Sequence, residues 1–233
     1  EKDRPQTRPS HLKQRIKQFL LGVERRPTRI FGGLARGVWM DLDRSSHLRL
    51  ICGFYEPSIR SFLRKQTRRA AVYYDIGANA GYYSFLFASQ EPALAVHAFE
   101  PNPRLVGDFE RNMLLNPGLS PKITMHSIAL GDGKAGLTLN QYMADGKLPA
   151  PDLVKIDVDG PEAEILRGAG GILRAKHAAW VVETHSAPLE REVEAIFREA
   201  GYQTRFPPEP FWLKWFPEER LDLPNRHLTA VPA

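Results

Sequence analysis

The chain has 233 residues, 42% hydrophobic and 25% charged, the composition of a folded domain with a sizeable core, which excludes disorder as its main state. Its longest apolar runs, such as 82–89, fall well short of the roughly 18 residues a membrane helix needs, so no membrane span is expected. A single cysteine, Cys52, excludes an internal disulfide and a thiolate zinc cluster; with no signal-peptide pattern at the start, a cytoplasmic address is the expectation. The net charge of +5 hides an asymmetry, because residues 1–70 carry net +11 and residues 71–233 net −6. Such a basic arm could meet nucleic acid, an anionic membrane surface or a phosphorylated substrate, or be plain solvated surface.

From Ser10, the residues Leu12, Ile16, Phe19, Leu20 and Val23 fall at helical spacing between lysines and arginines and predict an amphipathic helix. Residues 32–43 alternate apolar and polar and read as a strand or hairpin; Pro57 then opens a helix at its first turn. This makes 1–70 a basic N-terminal extension and 71–233 the main domain. After Arg69 apolar strands alternate with helices, the pattern of a parallel sheet covered on both faces. Strands are expected at 71–76, 95–99, 123–128, 153–156 and 179–182, with an extra strand at 136–140. Helices are expected at 81–90, 103–115, 161–174 and 189–200. The segment 206–217 mixes five aromatics with four prolines and reads as a rigid cover for a pocket; 226–231 returns as a last strand.

Tyr74-Asp75-Ile76-Gly77-Ala78-Asn79-Ala80-Gly81 sits where a strand turns into a helix, with glycines that let the backbone approach a ligand. A nicotinamide dinucleotide fits poorly, since Asn79 and Tyr82 stand where its fingerprint wants glycine, and no Gly-Lys-Ser/Thr follows to make a P-loop. Glu100 closes the next strand, 25 positions after Asp75, where a carboxylate can accept two hydrogen bonds from a ribose diol. Together these suggest an adenosine ligand without a pyrophosphate.

Five blocks then stand in register: Asp75-Ile-Gly-Ala-Asn-Ala-Gly81, Phe99-Glu-Pro-Asn-Pro103, Ala129-Leu-Gly-Asp132, Leu153-Val-Lys-Ile-Asp-Val-Asp-Gly160 and Glu183-Thr-His185, with Tyr55-Glu-Pro57 upstream. In this order the chain resembles the FkbM family of S-adenosylmethionine-dependent methyltransferases from about Gly37 to Pro232. It departs at Asp159, where the family commonly has Glu. The resemblance implies an α/β, Rossmann-like class I methyltransferase fold: a mostly parallel seven-stranded sheet, helices on both faces, and a helical and stranded N-terminal extension. It also implies S-adenosylmethionine as cofactor, with Asp75, Gly77, Asn79 and Gly81 holding the methionine part and ribose, Glu100 taking the ribose hydroxyls, and Ile128 and Ala129 bordering the adenine. Asn102 reads equally well as the cap of the helix that starts at Pro103.

The acceptor pocket should lie beyond the ends of the fourth and fifth strands, where Asp157, Asp159, Glu183 and His185 form a polar cluster. His185 is the best general base on intrinsic pKa, with Asp157, Asp159 and Glu183 as its alternatives. The same carboxylates and histidine could hold a magnesium-type ion, and the metal question stays open. Lys155, inside a buried strand, needs a carboxylate partner such as Asp157 or Glu183. Cys52 lies outside the sheet segment and no Asn-Pro-Pro-aromatic block follows the fourth strand, so oxygen is the favoured acceptor atom. The first reading is an O-methyltransferase for a small molecule or saccharide. An RNA methyltransferase using the basic arm and a non-catalytic cofactor-binding module are the alternatives.

Overall fold

The computed structural model describes residues 24–134, 136–211 and 225–233, so the helix expected from Ser10 and the tail residues Trp212, Trp215 and Phe216 lie outside the described residues. β1 (Arg25–Arg29) and β2 (Trp39–Asp43) pair as an antiparallel hairpin. The hairpin thus starts earlier than the alternation over 32–43 suggested, since Gly33 and Gly37, both at positive φ, place residues 32–37 in the turn. Two short helices follow, α1 (Leu48–Cys52) and α2 (Arg60–Gln66). Pro57 opens neither: it lies three residues before α2 in the turn that presents Glu56.

The main domain runs β3 (Val72–Ile76), α3 (Tyr82–Ala88), β4 (Ala95–Phe99), α4 (Pro103–Leu115), β5 (Ile123–His126), β6 (Leu130–Gly131), β7 (Leu137–Thr138), α5 (Leu139–Asp145), β8 (Leu153–Ile156), α6 (Glu162–Gly168), α7 (Gly170–Ala175), β9 (Ala179–Thr184), α8 (Ala187–Glu199), β10 (Tyr202–Arg205) and β11 (Arg226–Pro232). Seven strands form one sheet in the order β10-β11-β9-β8-β3-β4-β5, parallel except for β10 and β11. The chain leaves β3 toward β4 on one side and later toward β8 on the other. The crevice at the ends of β3 and β8 is therefore the switch point where ligands bind in open α/β sheets.

Two expected elements change. The strand at 136–140 shrinks to β7, which pairs with β6 outside the main sheet, because Thr138 and Gln141 form a capping box and start α5. The helix at 161–174 is two helices, α6 and α7, that break at Ala169 between Gly168 and Gly170.

Side-chain alternation divides the sheet. Tyr74, Ile76, Val154, Ile156, Trp180 and Val182 face one core with α6, α7 and α8. Tyr73, Leu153, Ala179 and Val181 face the other, which includes α3 and the buried residues of the extension, among them Ile30, Met40, Ile59 and Leu63. The extension is fastened by α4: Asn112 accepts from the Asp41 N–H and Asn116 from the Trp39 N–H, at 2.8 and 3.0 Å. Among the described residues, no helix is long and apolar enough to cross a membrane.

Beneath β4 and β5, the imidazoles of His97 and His126 share a hydrogen bond of 3.1 Å, and Tyr142 Oη lies 2.9 Å from His126 Nδ1. Burial, then the neighbouring His97, pushes His126 down to about 4. A histidine whose pKa is lower folded than unfolded takes its proton first in the unfolded chain, so its contribution is lost as pH falls from 6.5 through 4. Buried Asp75 and Glu183, with raised pKa values, tilt the profile the other way. The measurable quantity is thus the difference between wild type and His126→Gln in urea unfolding. It should shrink by at most about 3 kcal/mol between pH 7 and 4, and a constant difference would refute the account.

Candidate functional site

The expected nucleoside-side residues gather at the ends of β3, β4 and β5. The glycine turn lies against the protein's own backbone: Gly77 and Ala78 donate to Phe99 O at 2.9 and 3.0 Å. A Cβ on Gly77, at φ +79°, would stand 1.9 Å from Asp157 O, and one on Gly81, at φ +95°, would strike Phe85 and Phe109 at 2.6 and 2.8 Å. The space these glycines keep open is therefore taken by the fold. Asn79 adopts the left-handed conformation, and its N–H donates to Glu100 Oε2 at 2.9 Å while Asn102 N–H donates to Oε1 at the same distance. Each carboxylate oxygen of Glu100 keeps a further lone pair, which is the acceptor set that the two hydroxyls of a ribose diol need.

Asn102 caps α4 by accepting from Arg104 N–H, with Pro103 at the first helical position. Ile128 is half-buried and Ala129 exposed; Ile128 and Glu100 both donate through their N–H to His126 O, so this segment runs beside Glu100. This apolar edge beside a carboxylate suits a nucleoside. Asp75 stands apart, since its carboxyl is 1% exposed, accepts from Ser84 Oγ at 2.6 Å, and is pushed up to about 6 by burial.

The acceptor-side residues follow from register. Asp75 pairs with Lys155 and Glu183 with His227, so alternation puts Asp75, Lys155, Glu183 and His227 on the sheet face that the extension covers. Lys155, 1% exposed, donates to Asp157 Oδ2 at 2.6 Å, with its Nζ 4.4 Å from the centre of the Tyr83 ring. Asp157 is hydrogen-bonded to Glu183, and Asn225 donates to Glu183 Oε1 at 2.8 Å. His227 Nε2 lies 3.1 Å from Glu56 Oε2 and 3.7 Å from Glu183 Oε2, and Tyr83 donates to Glu56 at 2.5 Å.

Of the four acceptor-side residues expected from sequence, Asp157 and Glu183 meet directly. His185 sits beside them: its Nε2 is 2.9 Å from Val158 O and 3.3 Å from Glu162 Oε1. Burial alone would lower its pKa, but the Asn225 hydrogen bond and the charges of Glu162 and Glu183 raise it. His185 is thus held by protein groups rather than poised at its free value. Asp159 is exposed and joins no described hydrogen bond or ion pair in the cluster.

Glu56, His227 and Tyr83 were not singled out from sequence. Glu56 carried a signal, as the centre of Tyr55-Glu-Pro57. His227 carried none, because only the antiparallel register of β11 against β9 brings it opposite Glu183.

The electrostatics follow from burial. Lys155 is raised despite desolvation by Asp157, Glu56 and Asp75. Glu56 is held well below the carboxylate range, against burial, by the His227 hydrogen bond and the Lys155 charge. Glu183 is pushed up to about 7 by burial, then by Asp157 and Glu56. Glu56, Glu183 and His227 bring ligand-type atoms within 4.8 Å of one another, close enough for a divalent ion. Within the protein these groups already pair with one another, Lys155 with Asp157 and His227 with Glu56. The magnesium-type set Asp157, Asp159, Glu183 and His185 does not converge, because Asp159 points to solvent.

A narrow cleft lined by Tyr55, Glu56, Arg60, Tyr82 and Tyr83 opens between the extension and α3. A larger cavity of about 340 Å³ lies between α5 and α7, lined by Asn140, Met143, Pro151, Ile172 and His177. It sits at the starts of β8 and β9, opposite the end that carries the ionisable cluster, so the functional site is placed by chemistry rather than by volume.

A model of the FkbM methyltransferase domain matches residues 134–204. The hexuronic acid methyltransferase AglP of Haloferax volcanii is 25% identical over 172 residues, covering 64% of this chain and 70% of that protein. Among solved structures, methyltransferase FkbM from Methylobacillus flagellatus superposes with a TM-score of 0.55 at 16% identity, over 69% of this chain and 43% of that one. Precorrin-6y C5,15-methyltransferase from Geobacter metallireducens gives 0.53 at 17% identity, over 77% and 90%. These two superpositions establish the class I methyltransferase fold. The domain match and the AglP match, falling on a chain whose sheet carries the five blocks at its strand ends, support a methyltransferase similar to those of the FkbM family.

Proposed function

We propose that the chain is an O-methyltransferase whose acceptor is a hydroxyl of a saccharide or related small molecule. The observation that carries this reading is the Asp157–Glu183 carboxyl pair at the switch point: Asp157 is about a quarter exposed, and Glu183, behind it, has a proton affinity near neutrality. A hydroxyl, unlike a thioether or an aromatic nitrogen, must lose a proton as it is methylated, and a base matched to neutral pH serves that need. S-adenosylmethionine supplies a methyl group on a sulfonium. Glu100 binds its ribose hydroxyls, the 77–81 turn supports the amino-acid part, and Ile128 and Ala129 flank the adenine. Residues 24–70 wall the acceptor side, with the Tyr55 and Tyr82 rings, 5.1 Å apart, as apolar faces for a sugar ring. The name of the AglP relative supports a uronic acid as the first acceptor to try.

The test is transfer from methyl-¹³C-labelled cofactor to a panel of uronic acid and neutral glycosides, with the product identified by NMR. A methyl ether on a sugar supports the reading; label found only on nitrogen or carbon acceptors sinks it.

Glu100→Ala should weaken S-adenosylmethionine by about 1.5–3 kcal/mol, the range for hydrogen bonds to a charged group, read by calorimetric titration. An unchanged dissociation constant would place the ribose elsewhere.

A further inference from the structure

Methyl transfer to a hydroxyl needs one proton acceptor, yet the cluster holds more ionisable groups than that. Glu183 is faced by Asp157 from β8, Asn225 and His227 from the last strand and the residue before it, and Glu56 from the turn before α2; Lys155, Tyr83 and Asp75 complete the surroundings. His227 is 5% exposed at its side chain, and its Nδ1 has no hydrogen-bond partner among the described residues. Its polar contacts are thus on the Nε2 edge, with Glu56 and Glu183, from segments 171 and 44 residues away in sequence.

We propose that His227, held by Glu56, is a positioning residue for methyl transfer: as an imidazolium it leaves the Asp157–Glu183 pair with room for one proton, the one the acceptor hydroxyl gives up. This rests on the reading that the acceptor is a hydroxyl. In the step, the acceptor's O–H bond breaks, its oxygen bonds to the methyl carbon, and the C–S electron pair stays on sulfur. The proton passes to Asp157, the more exposed of the two carboxyls, and settles on the buried Glu183. Asp157 alone is a poor proton store, because Lys155, 2.6 Å away, favours its ionised form. Glu183 is the better store, and the sign of each neighbour's effect on it is fixed: Asp157 and Glu56 raise its proton affinity, and His227 lowers it. Without the cation, Glu183 would keep its proton at neutral pH and the pair would be full before the acceptor arrived. Without Glu56, burial would strip His227 of its charge.

The arrangement also gives the extension a role beyond forming a wall. Glu56 reaches the site only because residues 24–70 pack on this sheet face, so the charge of His227 depends on the extension being docked.

The experiment is an NMR titration of the whole chain with S-adenosylhomocysteine present, using ¹³C-carboxyl glutamate and ¹⁵N-imidazole labels. It needs no acceptor, so its outcome is independent of whether saccharides are methylated. In the wild type, His227 should titrate above the ordinary histidine value and Glu183 near 7. In His227→Gln the Glu183 midpoint should rise by about one unit or more, the size expected from removing an opposite charge within 4–6 Å. In Glu56→Gln, His227 should titrate below the ordinary histidine value. Either variant alone decides the matter if the other fails to fold. A Glu183 midpoint unmoved in His227→Gln, or a wild-type imidazole that titrates at or below the ordinary histidine value, overturns the proposal.

Discussion

Glu183→Gln lowers the methyl-transfer rate by about 10²- to 10⁴-fold, the usual yield of a general base, while S-adenosylmethionine binds as before. The substitution keeps the shape of the side chain and its hydrogen bond from Asn225, so the β9–β11 pairing is not strained. The pH dependence gives the sharper reading. Glu183 must be ionised to receive a proton, and burial sets its pKa near 7, so the wild-type rate should fall about tenfold per unit on the acid side of neutrality. The variant should lack that limb. A purely structural Glu183 would lower the folded fraction at every pH and leave the limb in place, so rates measured from pH 5 to 9 separate the two. His185→Ala should matter less, because His185 is tied to Val158 O and Glu162 rather than to the carboxyl pair.

What could be read from the sequence was what short-range rules decide. β4, β8 and α4 were legible to the residue, because apolar alternation and the Asn102-Pro103 cap are local signals. Thr138 and Gln141 were an equally local signal that the β-like run 136–140 concealed: the run keeps only Leu137 and Thr138 as strand and gives its last two residues to α5. In the site, Glu100, Asp157 and Glu183 were legible because each stands at or just past the end of a strand in a parallel sheet, where function is expected. His227 was not: its meaning depends on β11 entering antiparallel beside β9, and no pattern within residues 226–232 sets that direction. Glu56 fails for a related reason, since a turn residue at φ 40° points wherever the packing of the extension carries it. The glycine turn was found correctly and explained incompletely. Sequence reasoning gave Gly77 and Gly81 to a ligand, whereas their missing Cβ atoms make room for Asp157, Phe85 and Phe109.

That difference has a measurable consequence at Gly77. Alanine there meets two penalties: a left-handed φ of +79°, which costs an L-residue about 1–2 kcal/mol, and a Cβ 1.9 Å from Asp157 O, an overlap relieved only by moving backbone. The turn cannot yield freely, because Gly77 and Ala78 both donate to Phe99 O and Asn112 donates to Ala80 O at 2.8 Å. The strand end at Asp157 is fixed as well, by its own N–H to Ile76 O. Gly77→Ala should therefore cost about 2–5 kcal/mol in urea unfolding, a large share of the stability of a domain this size. Gly118 is the control: nothing lies within 4 Å of a Cβ placed there, so Gly118→Ala should be near neutral or slightly stabilising. If the two variants unfold alike, Gly77 is not wedged between β4 and β8. If Gly77→Ala stays folded at reduced stability, the displaced strand end should carry Asp157 away from Lys155. On the proposed role of Asp157 toward the acceptor, turnover would then fall further than S-adenosylmethionine affinity, because Glu100 keeps its own anchors at Asn79 and Asn102.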